Sequence, residues 1–194
     1  PREAVLKAHS ADLIEFLEQI GGHISGIIQT EAALYQSAGQ DEYLYPSVFP
    51  SRPSMMRLKD SKRARHGYFF FDNEAPIGRQ TWHAAQHSAT LAYAGAEMLI
   101  QQQAKVANAL CRPPGHHAGS DFMGGYCYLN NAAIAAAHLT TSGKVAILDI
   151  DYHHGNGTQA IFWNNPQVLF SSIHAHPDEE YPYYSGYADE TGGD

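Results

Sequence analysis

The sequence predicts an α/β fold, a predominantly parallel sheet flanked by helices. Three observations carry this. Short apolar runs alternate with alanine-rich helical stretches along the chain, the pattern of βαβ units joined by right-handed crossovers. Val145-Ala146-Ile147-Leu148 is continuously apolar, as in a parallel strand covered on both faces. That run ends in Asp149, Asp151 and His153, followed by Gly155 and Gly157. A polar strand end of this kind sits at the carboxyl edge where open α/β sheets place their ligands.

The elements follow in order. Ser10 before Ala11-Asp12 serves as an N-cap, and Leu13, Ile14, Phe16 and Leu17 supply an apolar face. A helix is expected over about 11–20, closed by Gly21-Gly22, with a weaker one over about 25–37. Residues 39–66 carry Pro46, Pro50 and Pro53, the aromatics Tyr43, Tyr45 and Phe49, and a basic cluster from Arg57 to Arg65. They read as a long docked loop with a solvated basic face. Gly67–Phe71 reads as a short strand, followed by a turn through Asp72-Asn73-Glu74. The clearest helix spans Gln80–Gln102, where Trp82, Ala85, Ala89, Ala92, Ala96 and Leu99 recur at three and four; the narrow stripe suits close packing onto a sheet. Val106–Cys111 reads as a strand, Leu129–Leu139 as a second alanine-rich helix, 144–150 as the central strand, about 157–164 as a helix and Val168–Ile173 as the last strand.

Bulk properties narrow the class. The 194 residues suffice for one domain with a sizeable core. Twelve Lys+Arg against 20 Asp+Glu give a net charge of −8, and with no basic stripe a nucleic-acid partner is disfavoured. The two cysteines, Cys111 and Cys127, form no disulfide framework and fit a reducing cytoplasm. No uncharged apolar stretch approaches the length of a membrane span, and no leader opens the chain as given.

Side chains at i, i+2 and i+4 of an extended segment share a face, so Asp149, Asp151 and His153 converge at the strand end. Two carboxylates buried there are costly without a cation, and a divalent metal with mixed oxygen and nitrogen ligands removes that cost. A salt-bridged structural cluster is the alternative. His116-His117, leaving a strand on a loop stiffened by Pro113 and Pro114, reads as a metal site, a proton-transfer pair or two unrelated core histidines. Gly124-Gly125-Tyr126-Cys127-Tyr128 offers bare backbone beside aromatic rings, or a tight turn. Asp178-Glu179-Glu180-Tyr181 combines an acidic rim with an aromatic wall.

Three motifs, C-R-P-P-G-H-H-A, G-G-Y-C-Y-L-N-N-A-A and D-I-D-Y-H-H-G-N-G-T-Q, resemble the zinc-dependent histone deacetylase superfamily, and its acetylpolyamine amidohydrolase branch in particular. E-Y-L-Y-P-S-V-F-P, G-Y-F-F-F-D and Y-P-Y-Y-S-G-Y-A-D-E-T-G are similar to that branch too, so the resemblance covers most of the chain. It implies an arginase/deacetylase-like sheet, here a single partial domain over 1–194 that is incomplete at both ends. It implies Zn2+ held by Asp151 and His153, with His116 and His117 as the catalytic tandem. By the same resemblance His117 would be the general base and acid, with His116 giving electrostatic help. Asp149 would orient His116 and join Asp151, His153, Ser172 and Ile173 around a structural K+. Asn156 would orient His117 where some relatives carry Asp. Gly125 would accept the substrate amide N–H, Tyr126 and Tyr181 would wall the tunnel, and His154 inherits no role beyond structure.

The implied reaction releases acetate from small cationic N-acetylated amines, in a protein that is a homodimer when full-length and touches neither nucleic acid nor membrane. Asp178, Glu179 or Glu180 near the mouth would favour such cations. The family pattern also carries an Asp in a D-P-[LI] context and a carbonyl-polarising Tyr downstream of the motifs present, and a first strand upstream. The expectation is therefore the middle of an enzyme that self-associates when expressed alone. The alternatives are a protein lysine deacetylase, a non-catalytic metal-binding fragment lacking the third zinc ligand, and a binuclear manganese ureohydrolase, against which the R-P-P-G-H-H loop speaks.

Overall fold

The computed structural model describes residues 2–35, 43–45 and 67–193, with the side chains of 24–35 left aside. Helix α1 (Arg2–Ala8) leads into α2 (Ala11–Tyr35). The Ser10 hydroxyl accepts the Leu13 amide at 3.3 Å, as an N-cap does. Leu13, Ile14, Phe16 and Leu17 are buried. The helix does not stop at Gly21-Gly22; the two expected helices are one. A glycine ends a helix by entering the left-handed region, and neither of these has a positive φ. In the right-handed region each glycine lowers helix stability by only about 1 kcal/mol relative to alanine.

The strand expected at Gly67–Phe71 is absent. Residues 67–68 are helical and Phe70 makes one isolated parallel bridge to Met123. Met123 donates to the Phe69 carbonyl at 2.6 Å and accepts the Phe71 amide at 3.0 Å. The ladder ends there because the partner chain turns back at the Gly124–Cys127 bridge. The apolar run is explained by packing, with Phe69 and Phe70 buried against Phe16 at ring distances of 5.0 and 6.4 Å. A two-residue ladder that the sequence did not suggest pairs β1 (Tyr43–Leu44) antiparallel with β2 (Ile77–Gly78). The rest of the expected 39–66 loop lies outside the described residues.

Helix α3 (Thr81–Ile100) buries Ala85, Ser88, Ala89, Ala92 and Ala96. The alanine stripe packs chiefly on helix α4 (Asn131–Leu139) rather than on a sheet. Small side chains on facing ridges let two helices approach closely. Asn130 caps α4, its side-chain oxygen accepting the Ala133 amide at 2.9 Å.

Strands β3 (Val145–Asp149) and β4 (Val168–Ser172) pair in parallel, with register from Val145↔Val168 to Asp149↔Ser172. Helix α5 (Asn156–Phe162) connects them, completing the βαβ unit. Helix α4 packs on β3 and α5 on β4. The expectation of strands covered on both faces fails among the described residues. Leu148, Ile150, Leu169 and Ile173 are 64–76% exposed, because the described helices lie on the opposite side. The strand expected at Val106–Cys111 is absent for a related reason. The segment finds no ladder partner among the described residues, and Val106 and Leu110 stand exposed. Between it and β3 lies a gap of about 480 Å³ that ends at His116, Asp149 and Asp151. Among the described residues no helix is long and apolar enough to cross a membrane.

Candidate active site

The His-His loop is fastened to the first turn of α5 and to the cap of α4. Thr158 donates its amide to the His116 carbonyl at 3.1 Å. Asn130, fully buried, donates through Nδ2 to the Ala118 carbonyl and to Thr158 Oγ1, both at 3.0 Å. The Asn130 amide in turn donates to Nε2 of buried His9 at 2.9 Å. Gly157 lies so close to this loop that a Cβ would stand 2.3 Å from the Ala118 oxygen.

The two loop imidazoles, 4.0 Å apart and tilted by 47°, have different partners. His116 Nδ1 meets Asp149 Oδ2 at 2.9 Å, and its Nε2 lies 3.9 Å from Asp151 Oδ1. A carboxylate only accepts, so His116 Nδ1 carries the proton. His117 Nδ1 meets Asn156 Oδ1 at 2.8 Å. With the Asn156 carbonyl as acceptor, His117 Nδ1 is the N–H and Nε2 holds the free lone pair. His117 is buried, and burial, with the neighbouring charge on His116, pulls its pKa down to about 4 against the Asn156 hydrogen bond. It is neutral at neutral pH. Burial works to raise the Asp149 carboxyl, but the bonds from His116 and the Asp151 amide outweigh it and hold Asp149 below the ordinary value.

Asp151 and His153 come together as the sequence suggests, by a different route. The strand ends at Asp149, and a turn held by carboxylate-to-amide bonds follows. Asp149 Oδ1 accepts the Asp151 amide at 3.0 Å and Asp151 Oδ1 accepts the His153 amide at 2.8 Å. His153 Nδ1 then stands 3.6 Å from Asp151 Oδ1. Zinc takes imidazole nitrogen and carboxylate oxygen at about 2.0–2.2 Å, so two of its tetrahedral ligands stand about 3.3 Å apart. The pair fits that chemistry as two donors. No group of three His, Cys, Asp or Glu side chains suited to a metal ion forms among the described residues.

The wall opposite is built around glycine. Gly125 has φ +51°, and a Cβ there would lie 2.4 Å from His117 Cδ2 and 2.7 Å from the Tyr181 hydroxyl. Tyr126, at φ +65°, is exposed. Tyr181 stacks on Phe71 at 6.0 Å and meets His117 and His153 edge-on at 4.9 and 5.7 Å. Its hydroxyl donates to Asp72, a residue the sequence offered only as part of a turn. The signal lay in its place, an acid directly behind the aromatic run Tyr68–Phe71.

Ser172 and Ile173 lie beside the end of β3. Ile173 donates its amide to the Asp149 carbonyl at 2.9 Å, and the Ser172 hydroxyl meets His174 Nδ1 at 2.7 Å. Of the expected acidic rim, Asp178 accepts the Tyr187 hydroxyl at 2.6 Å and Glu180 that of Tyr152 at 3.0 Å, while Glu179 is exposed. His154 is buried between His174 and Phe170, at ring distances of 4.5 and 6.2 Å. Burial, then the charge on His174, takes its pKa down to about 4. Burial pushes the Cys127 thiol up to about 12, which leaves it inert at neutral pH.

A parallel βαβ unit with paired histidines and a D-x-D-x-H turn at its rim defines an arginase/deacetylase-like α/β protein. The histone deacetylase domain model matches residues 1–194, and the chain belongs to that family. It is 47% identical over 195 residues to acetylpolyamine amidohydrolase 1 of Pseudomonas aeruginosa, covering 98% of this chain and 53% of that protein. It is 43% identical over 192 residues to the acetylpolyamine amidohydrolase of Mycoplana ramosa, with 98% and 53% covered. The crystal structure of the acetylpolyamine aminohydrolase from Burkholderia pseudomallei superposes with a TM-score of 0.82 at 36% identity, over 100% of this chain and 53% of that one. The chain thus spans about half the length of the relatives it matches.

Proposed function

We propose that this chain, as one domain, carries the tandem-histidine half of a zinc-dependent amidohydrolase that releases acetate from N-acetylated amines of the acetylpolyamine type. The observation that carries the reading is the meeting of His116, His117, Asp151 and His153 at one strand end, beside the wall of Gly125 and Tyr181. Names of the relatives support the substrate class. Asp151 and His153 would hold the zinc, which supplies Lewis acidity toward an acetyl carbonyl and acidifies water.

The chain's own residues account for the proton movements. His117, neutral and with Nε2 free, accepts a proton there and returns it to the leaving amine. The amide of Asn156 keeps the other nitrogen protonated throughout. His116, bonded to Asp149, places a second N–H system beside the reacting group. The Gly125 carbonyl accepts the substrate amide N–H, and Tyr126 and Tyr181 wall the acyl-amine chain. Asp178, Glu179 and Glu180 favour a cationic substrate end. Oxygens of Asp149, Asp151, His153, Ser172 and Ile173 hold K+, and the whole protein is a cytoplasmic homodimer.

The test is acetate release by the zinc-loaded full-length protein from an N-acetylated polyamine and from an acetyl-lysine peptide, with His117→Ala as control. Turnover of the polyamine that falls at least 1,000-fold in His117→Ala supports the reading. Preference for the peptide would make it a protein lysine deacetylase, and no release from either would overturn it. The second reading is a non-catalytic metal-binding domain, favoured by the two-donor set among the described residues. Zinc bound at one equivalent without acetate release would select it, and two manganese ions per chain would select a ureohydrolase.

A further inference from the structure

We infer that Asp72 is a positioning residue, a clamp that fixes the substrate wall against the paired histidines. Its carboxylate accepts from three donors on three different segments. Oδ1 takes the Glu74 amide at 2.9 Å, which ties Asp72 into its own turn. Oδ2 takes the Gly125 amide at 2.9 Å, 53 residues away, and the Tyr181 hydroxyl, 109 residues away. These last two are the groups packed on His117, where Gly125 has no room for a Cβ and Tyr181 lies edge-on to the ring. Through that one oxygen Asp72 joins two separate parts of the candidate site to each other.

Asp72 therefore sets the spacing between two wall segments that no strand or helix connects. Gly125 sits in a left-handed turn and Tyr181 in an irregular segment after the 176–180 turn. Without the shared oxygen, each keeps only its own local bonds, the Gly124–Cys127 bridge around Gly125 and the Tyr183-to-Glu180 bond beside Tyr181, and its packing on His117. A displacement of about 1 Å in such a wall is enough to lower turnover about 100-fold. The alternative is that Asp72 acts as a bare charge for a cationic substrate. The two roles differ in what asparagine does, because its one carbonyl oxygen, set in place of Oδ2, still accepts from Gly125 and Tyr181 while the charge is gone.

This inference rests on the proposed amidohydrolase activity for its kinetic readout, and a second readout is independent of it. In the full-length protein, Asp72→Ala is expected to lower kcat/KM about 100-fold on a charged and on an uncharged N-acetylated amine alike. Asp72→Asn should recover at least tenfold of that loss. Tyr181→Phe, which keeps the ring and removes one donor, should lose less than Asp72→Ala. The double variant Asp72→Ala/Tyr181→Phe should lose no more than Asp72→Ala alone. Hydrogen exchange at the Gly125 amide should quicken at least tenfold in Asp72→Ala whether or not any substrate turns over. If Asp72→Asn is as damaged as Asp72→Ala and the loss is confined to the charged substrate, Asp72 acts by charge and the clamp is refuted. Unchanged Gly125 exchange in Asp72→Ala also refutes it. Should Asp72→Ala not fold, Tyr181→Phe decides: a loss on both substrates sustains the clamp and wild-type rates overturn it. A wild-type protein that releases no acetate but shows the exchange effect sinks the activity and leaves the clamp standing.

Discussion

Acid should loosen this protein through His9 before it reaches the ordinary carboxylate range. His9 is 3% exposed, its Nε2 accepts the Asn130 amide at 2.9 Å, and burial brings its pKa from 6.5 down to about 4 against a weaker opposing contact with the Gly119 backbone. Between those values the unfolded chain binds a proton that the folded chain refuses, so stability falls as pH falls. The contribution is fully present above pH 6.5 and is lost toward pH 4. A shift of that size corresponds to about 3 kcal/mol, and a site this buried calls for no discount for solvent screening. His117 and His154 are lowered as well, so the effect of His9 has to be read by difference. His9→Gln keeps an acceptor for Asn130 and has nothing to titrate. Urea denaturation of both proteins from pH 7.5 to pH 4 should show the wild type losing about 3 kcal/mol more than the variant. Parallel pH profiles would refute the account of His9 as a buried neutral acceptor. The loss has a functional side, because Asn130 holds the Ala118 carbonyl behind the paired histidines.

Three further outcomes follow from the site. Gly125→Ala places a Cβ 2.4 Å from His117 Cδ2 at φ +51°; left-handed strain of about 1–2 kcal/mol adds to the clash, and acetate release should fall at least 100-fold with a lower melting temperature. Asn156→Ala removes the acceptor for His117 Nδ1 and should lower kcat about 10–100-fold, whereas Asn156→Asp should move the acid limb of the kcat profile to higher pH by favouring the charged ring; an unshifted limb would show that His117 is not the titrating base. Asp151→Ala removes one of two donors 3.6 Å apart and should lower the bound zinc measured by elemental analysis at least tenfold, while wild-type zinc content would place the metal elsewhere.

What was legible in the sequence was what short-range chemistry dictates. The helix at Thr81–Ile100 follows from its alanine spacing, and β3 and β4 follow from apolar runs bounded by turn residues. Asp151 and His153 converge as alternation suggests, although carboxylate-to-amide turns bring them together rather than strand geometry. The misreadings have one cause, which is that local pattern does not say what a segment packs against. Gly67–Phe71 is rich in residues that favour strands, but Phe69 and Phe70 are there to bury against Phe16. Val106–Cys111 has a strand composition and no partner among the described residues. Gly21-Gly22 carries the composition of a stop signal, but both glycines stay right-handed between two helical halves. Asp72 was legible only as an acid in a turn behind an aromatic run, for the same reason: its importance lies in partners 53 and 109 residues away.

Two imidazoles side by side in sequence and 4.0 Å apart in space would ordinarily compete for one proton. The chain separates their roles by what it puts beneath each ring. A carboxylate at the end of β3 takes the His116 N–H, and an amide at the start of α5 takes that of His117. Burial first, and then the neighbouring His116, keep His117 neutral, which is the state a proton acceptor needs. The distinction is built from the two strands' connection itself, because Asp149 and Asn156 bound the turn that also carries Asp151 and His153. One short segment, 149–156, therefore carries both proposed metal donors and hydrogen-bonds both histidines. The proton chemistry and the metal chemistry of the proposed reaction are accordingly set by the same eight residues, and a change of backbone there should disturb zinc content and the pH profile together rather than either alone.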